Sequence, residues 1–373
     1  MPECPDCGHT LEKRKVHRNW QTDLPVIEPH VTCFETESGW CPQCQDHKHS
    51  ICPGQIVTAE GAAAHGLGPK LKAASATLKH RYGLAYRKQS ELFETLLGLK
   101  ITPSGLCQSG QSVSSKLKGV YEEIAELLAQ AANVNCDETG WRVGTASSWL
   151  WVFGNSENTF YRIEATRGHD VVVDVLGKDF AGVLSSDRAK AYDHKDLKNW
   201  LKQKCIAHLL RNLSDLEQKQ QRGALRFARD VKSVLRAALK LKQQVSNLET
   251  AVYAKRAKAL ERKLDKLLSK DRNFSNEANR KMAASLAKQR PHLLRFLYHE
   301  GVDATNNQAE RDLRPAVLAR KTGRCNKTET GAETHAILAS VIETLRKRGR
   351  NPIQDLTALL LAKKPTLNPF SSS

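Results

Sequence analysis

The sequence predicts a multidomain α/β protein: a cysteine-rich front segment, a mixed sheet in the middle, and helices on both sides of it. Three observations carry that prediction. The 373 residues exceed what one hydrophobic core usually organises. Apolar spacing is helical from about residue 62 to 132, strand-like over 133–206 and helical again afterwards, which marks a change of architecture at each switch. Cys4, Cys7, Cys33, Cys41, Cys44 and Cys52 crowd the first 52 residues while four other cysteines are scattered, a distribution that suits metal ligation better than disulfides.

In the front segment, residues 1–54, Cys4-Pro-Asp-Cys7 and Cys41-Pro-Gln-Cys44 form two C-x-x-C knuckles. Each knuckle offers two thiolates to one tetrahedral ion, so a structural Zn2+ ribbon is expected. The long spacer is tolerable because loop-closure entropy grows only logarithmically with length. Cys33 and Cys52, with His9, His47 and His49, stay outside the set as ordinary residues or members of a second site. Short strand-like runs occur at Val26-Ile27 and His30 to Phe34, with too little apolar content to fold without a metal. Lys13, Arg14, Lys15 and Arg18 favour DNA contact; a metal-stabilised knob with no contact duty fits the same residues.

From 55 to 132 the pattern predicts three or four short helices, with Leu71, Ala74, Leu78, Leu92 and Leu96 near helical spacing and breaks at Gly83 and Pro103. Thr102 or Ser104 caps an amphipathic run that reaches Ala131, and the helices around it read as a helix-turn-helix, a DNA-binding segment.

Strands are predicted at Val134 to Cys136, Trp149 to Phe153, Thr159 to Ile163, Val183-Leu184 and Cys205-Ile206, with a helix at Asp170 to Leu176. Three consecutive strands, then helix, strand, helix and strand, give a mixed sheet with helical cover, the order of a ribonuclease H-like fold. That core is expected over 133–213. Residues 214–300, where Leu235, Leu239, Leu248, Leu260 and Leu264 alternate with dense Lys and Arg, read as an all-helical basic insertion. Residues 301–373 complete the core with helices broken at Pro315 and Gly331, an Ile337 to Leu345 apolar face and a frayed tail at 368–373.

Lys and Arg number 58 against 40 Asp and Glu, a net charge of +18. Such a bias favours a polyanionic partner through counterion release, so double-stranded DNA leads and a membrane surface trails. No stretch approaches the roughly 20 apolar residues that crossing a bilayer requires, and residues 1–20 lack an apolar signal segment. A cytoplasmic, nucleoid-associated location follows as the expectation.

Phosphodiester chemistry by two divalent cations needs carboxylates held together, and strand ends are where to look for them. Asp137 follows the first predicted strand and Asp187 the fourth, 50 positions later; neighbouring strands would bring them together. Glu310 lies in Asn306-Asn307-Gln308-Ala309-Glu310-Arg311, a helix start, with Arg311 and Arg314 suited to phosphate forks. Taken singly, each acid also reads as an ordinary surface group.

Together these residues resemble transposases of the insertion sequence sixty-six type, members of the DDE superfamily. The resemblance rests on Asp137-Glu138-Thr139-Gly140-Trp141-Arg142, on Asp187-Arg188 before Tyr192, on Cys205-Ile206-Ala207-His208-Leu209-Leu210-Arg211 and on the segment around Glu310, and it spans nearly the whole chain. It implies catalytic acids at Asp137, Asp187 and Glu310 holding Mg2+ or Mn2+, with a helical insertion between the second and third. It also implies an orienting role for Cys205 and His208, with a buried Cys and a satisfied His as the open alternative. Arg188, Asn307, Arg311 and Arg314 are the expected phosphate-contacting or orienting residues. Longer relatives carry a further region before the zinc segment, so recognition of DNA ends is expected to differ here.

The implied activity is metal-dependent cleavage at transposon ends and transfer of the freed strand into target DNA, in a homodimer or larger synaptic complex, with accessory transposition proteins as possible partners. The basic helices would hold DNA backbone without reading bases. Trp141 or Trp149 could wedge bases, with core packing as the competing role. Two rivals stay open: a zinc-dependent DNA-binding regulator or inactive derivative without catalysis, and a hydrolytic nuclease that cuts but never joins.

Overall fold

The structure, a computed structural model, describes residues 3–367 except 11, 13, 14, 24, 26, 27, 57–65, 220–223, 270, 271, 275 and 324. The Val26-Ile27 run, Lys13, Arg14 and the 368–373 tail therefore lie outside the described residues. In the front segment two short strands, β1 (Ser38–Cys41) and β2 (Asp46–His49), pair antiparallel around the second knuckle. The expected strand at His30 to Phe34 is absent: those residues are exposed and irregular, because no apolar face lies opposite their alternating pattern.

Four helices follow, α1 (Pro69–His80), α2 (Tyr86–Leu97), α3 (Pro103–Lys116) and α4 (Lys118–Ala129). Thr102 caps α3 as its composition suggested, its side chain accepting from the Gly105 N–H, with Pro103 at the first helical position. The run expected to reach Ala131 unbroken is instead divided at Leu117. Gly83 sits in the α1–α2 turn at φ +71, and a Cβ there would lie 2.9 Å from the Ala319 Cα. Glycine thus serves both the left-handed backbone and the close approach of this turn to a later helix.

The sheet has five strands in the order β5-β4-β3-β6-β7: β3 (Asn133–Val143), β4 (Ala146–Gly154), β5 (Thr159–Glu164), β6 (Val183–Ser186) and β7 (Leu201–Lys204). The first three form an antiparallel meander, and β6 and β7 run parallel to β3. A two-residue turn joins β3 to β4, with Gly144 at φ +60, the left-handed backbone that tight hairpins require. Helix α5 (Asp170–Leu176) crosses between β5 and β6 as expected.

Three expectations need correction here. Asp137 does not end its strand: β3 continues to Val143 because the antiparallel partner β4 pairs it that far. The last strand is Leu201–Lys204, not Cys205-Ile206; Cys205 precedes a helix whose first residue is Ile206. The helix expected between the last two strands is two 3-10 turns, Lys190–Asp193 and Lys195–Leu197.

Helices α6 (Ile206–Gln218), α7 (Leu225–Gln243), α8 (Thr250–Leu268) and α9 (Glu277–Gln289) bury leucines and alanines in a core of their own that meets the sheet at Val183. The chain then returns as α10 (Asn307–Gly323), α11 (Glu329–Lys347) and α12 (Pro352–Leu361). Pro315 lies inside α10 rather than breaking it, and Gly331 lies within the first turn of α11 under the Thr328 cap. Helix α11 is buried almost all round from Thr334 to Leu345, a wider burial than the single face expected, because sheet and helices enclose it from opposite sides.

One face of the sheet, with Val134, Cys136, Trp151 and Phe153, packs on α1, α3, α4, α5, α11 and α12 in a single apolar core. The other face, with Trp141, Leu150 and Val152, carries α10 through Ala309, Leu313 and Ala316. Trp141 is buried, stacks on His335 at 5.3 Å and donates its indole N–H to Asn326, so its place is the core. No helix among the described residues is long and apolar enough to cross a membrane.

Candidate active site

The parallel pairing of β3 and β6 sets Asn135 opposite Ser185. Two residues further along each strand direction stand Asp137 and Asp187, at matched levels of adjacent chains. Asp187 leaves the strand end and accepts the Ala189 N–H at 2.8 Å, which fixes its carboxylate over the turn. Lys204, buried at the end of β7, donates to the Asp187 carbonyl at 3.2 Å and pairs with Asp193 at 2.9 Å, holding that turn in place. Asp137 points to the sheet face that carries α10, since side chains alternate along a strand.

Glu310 arrives on α10, and Asn306 secures the start of that helix. Fully buried, Asn306 donates its amide to the Cys136 carbonyl at 2.8 Å, accepts from the Asn135 amide at 3.1 Å, and directs its backbone N–H at the Cys205 sulfur, 3.2 Å away. Cys205 is therefore the buried acceptor that docks α10 onto the end of β7. His208, one turn into α6, places Nε2 3.7 Å from the Glu310 carboxylate. The second acid of this segment, Asp312, faces inward to Lys347 at 2.6 Å and anchors α10 to α11.

Burial pushes the Asp137 carboxyl up to about 7, and the neighbouring charges of Glu138, Asp187 and Glu310 push in the same direction against a lowering backbone hydrogen bond. Carboxylates with too little positive charge among them are what a hard divalent cation relieves. The donor set of Asp137, Asp187 and Glu310 fits Mg2+ or Mn2+ chemically, although their oxygens do not all lie within 4.8 Å of one another. Beside Asp187 opens a cavity of about 480 Å3 lined by Arg167, Arg188, Lys190, His208 and Asn212. Its positive side chains and single acid suit a phosphodiester backbone.

The other expected residues fall in different places. Arg188 lines this cavity but is also bound to the helical region, donating to Gln289 at 2.7 Å and to Ser285. Asn307, Arg311 and Arg314 lie exposed along α10, with Arg311 donating to Gln308. In the front segment the thiols pair within each knuckle, Cys4 with Cys7 and Cys41 with Cys44. Cys4 is held below the usual thiol range chiefly by the Asp6 backbone N–H, and Cys41 by that of Cys44. Lowered thiols suit metal ligation, but no three of the four come within 4.8 Å of one another.

Comparison with known proteins gives the family. Residues 66–334, well over half of the chain, match the family described as Transposase IS66 family. The chain belongs to that family. It is also similar to the uncharacterized protein y4qI of Sinorhizobium fredii, at 25% identity over 96% of this chain and 70% of that protein. Membership brings DNA processing and divalent-metal use in general terms, and the matched region contains Asp137, Asp187 and Glu310.

Around the three expected acids, the sequence motifs contain Glu138, Tyr192 and Asn306 without showing what these side chains do, and they miss Arg167. Asn306 was visible only as one of two adjacent asparagines, and burial separates them. Glu138, Arg167 and Tyr192 form a network beside Asp137: the Tyr192 hydroxyl and the Arg167 guanidinium both donate to the buried Glu138 carboxylate. Arg167 carried no signal, because it lies in the loop after β5 with no motif around it. A further group, His169, His194 and Asp196, brings its ligand atoms within 4.8 Å and could hold a metal ion. The two imidazoles stack at 3.4 Å and His169 bonds Asp196 at 2.9 Å; 25 residues of sequence separate His169 from His194, and only the fold joins them.

Proposed function

We propose that this chain is a DDE-type DNA transposase that cuts at transposon ends and transfers the strand into target DNA, with Asp137, Asp187 and Glu310 as its catalytic acids. The observation that carries the reading is that Asp137 and Asp187 each stand two residues beyond the paired Asn135 and Ser185, Asp187 just past the end of β6, while Asn306 ties the start of the Glu310 helix to β3. A meander of three antiparallel strands followed by two parallel ones supports a ribonuclease H-like core.

When bound, Mg2+ or Mn2+ at these acids would activate an oxygen nucleophile and stabilise the leaving oxygen. The protein's own contribution is positioning. Asp187, fixed by Ala189, and Glu310, oriented beside His208, present carboxylates toward Asp137. Arg188 and Lys190 line the adjoining cavity, where they would draw the DNA backbone in and hold the scissile phosphate in line. Residues 214–300 would then serve as a basic helical insertion gripping DNA backbone, and residues 55–132 would contribute to recognising ends. The front segment would close as a zinc ribbon when Zn2+ draws the two thiol pairs together. Transfer requires two ends held at once, so a dimer or larger assembly follows from the mechanism.

The test is magnesium-dependent cleavage and joining of a linear DNA carrying the element's own ends. Products from the wild-type chain that vanish in Asp187→Ala and Glu310→Ala support the reading; DNA binding without any product overturns catalysis and leaves a regulator.

A further inference from the structure

Arg167 lies on the rim of the cavity that Asp187 and His208 also line. Its setting differs from that of a solvated surface arginine in three ways. Nε and one terminal nitrogen both approach the Glu138 carboxylate at 2.7 Å, and that carboxylate has no exposure to solvent. The other Glu138 oxygen accepts the hydroxyl of Tyr192, a fully buried ring, so the pedestal under the arginine is itself fixed. The guanidinium plane lies 4.5 Å over the Trp149 ring, which restrains it from a second direction.

A guanidinium carries five donors in a rigid fork. Glu138 takes one edge. Among the described residues no acceptor meets the remaining terminal nitrogen, and half of the side chain stays exposed on the cavity side. Glu138 and Asp137 are neighbours on β3 whose side chains leave opposite faces of the sheet, so Glu138 reaches the core below while Asp137 faces α10. The strand that carries the first acid thereby also sets the arginine beside Asp187.

We infer that Arg167 is a phosphate-binding catalytic residue: its unfilled edge grips the DNA phosphate that enters the cavity next to Asp187, with Glu138, Tyr192 and Trp149 as its positioning residues. The inference rests on the acid site proposed above, and it assigns the charge that neutralises the phosphate's non-bridging oxygens to a residue outside the acid set. Fixed donors aimed at such oxygens are worth more than mobile surface charges, because they need no reorganisation at the moment of reaction.

The competing role is structural, with Arg167 only neutralising the buried Glu138. Four variants separate the two: Arg167→Gln, Arg167→Lys, Glu138→Gln and the double Glu138→Gln/Arg167→Gln. Each is measured for thermal midpoint, for cleavage of end-bearing DNA with magnesium, and for the salt dependence of DNA binding without added magnesium. If Arg167 grips phosphate, the double variant regains the thermal midpoint but not cleavage, which stays about a hundredfold down. Its log–log salt slope drops by about one, the signature of one lost phosphate contact. Arg167→Lys keeps most of that slope, as it keeps the charge, yet cleaves at least about tenfold slower, because an ammonium cannot fork between Glu138 and a phosphate.

Recovery of both midpoint and cleavage in the double variant, with an unchanged slope, overturns the inference while the acid site stands. A wild-type chain that binds DNA and makes no product overturns the acid site instead, and the slope of Arg167→Gln then decides whether Arg167 meets phosphate.

Discussion

Asp137 lies two residues beyond Asn135 on β3, and Asp187 lies two residues beyond its partner Ser185, just past the end of β6. Their carboxylates repel: Asp187 is among the charges that help raise Asp137 toward about 7. Changing Asp187→Asn keeps the shape and the hydrogen bond from the Ala189 N–H while removing the charge. Cleavage of end-bearing DNA should fall at least about a hundredfold, with the thermal midpoint unchanged or slightly raised as repulsion is relieved. Cleavage within a few-fold of wild type would remove Asp187 from the catalytic set.

Asn306 joins three segments that are far apart in sequence, through the Cys136 carbonyl, the Asn135 amide and the Cys205 sulfur. Replacement by alanine leaves the Asn135 side chain and the Cys136 carbonyl without this buried partner. Unpaired buried groups cost about 1–3 kcal/mol each, so Asn306→Ala should destabilise the chain by roughly 2–4 kcal/mol in denaturant titration. Because α10 loses its docking point, cleavage should fall more than DNA binding does. A loss below about 1 kcal/mol would show that the Asn306 side chain is not what holds α10 in place.

That Asp137 and Asp187 come close together could be read from the strand pattern. The 50-residue interval between Asp137 and Asp187 equals the register offset of β3 and β6, because each acid comes two residues after the paired Asn135 and Ser185. Glu310 was legible from its motif. What stayed hidden depends on burial and on loops: Asn306 and Asn307 look alike in sequence, yet one is enclosed and the other exposed. Arg167, His169 and His194 sit in connections without apolar spacing, where only the closed chain shows their neighbours. The misplacement of the last strand has the same origin. Lys202, Gln203 and Lys204 are polar yet buried, so the pattern shifted attention to the apolar Cys205-Ile206 beyond them.

The thiols of Cys4 and Cys41 are both lowered, each by hydrogen bonds within its own knuckle. Thiols held low in this way give up their protons to a metal more readily. Elemental analysis of the purified chain should therefore return one zinc for the four front cysteines, lost in Cys7→Ser and in Cys44→Ser alike. Loss in one variant only would mean that the knuckles do not share an ion. Zinc retained in both would place the ion elsewhere, with His169, His194 and Asp196 as the next residues to replace.

His80 and His335 meet in the core, Nδ1 to Nδ1 at 3.0 Å, with Trp141 stacked on His335. Burial pushes His335 down to about 4, with Lys79 adding repulsion, and burial, then His335 and Lys79, push His80 down as well. An unfolded histidine takes up its proton near pH 6.5. Between about pH 6.5 and about 4 the unfolded chain therefore binds a proton that the folded chain refuses, and stability falls as pH is lowered through that window. At pH 5 the His335 contribution to this loss is about 2 kcal/mol, from about 1.4 kcal/mol for each pH unit below 6.5. His335→Phe preserves an aromatic ring against Trp141 but cannot titrate. Its unfolding free energy, measured in denaturant from pH 7 to pH 5, should decline less steeply than that of the wild type. Parallel curves would mean that His335 takes up its proton as readily in the folded chain as in the unfolded one.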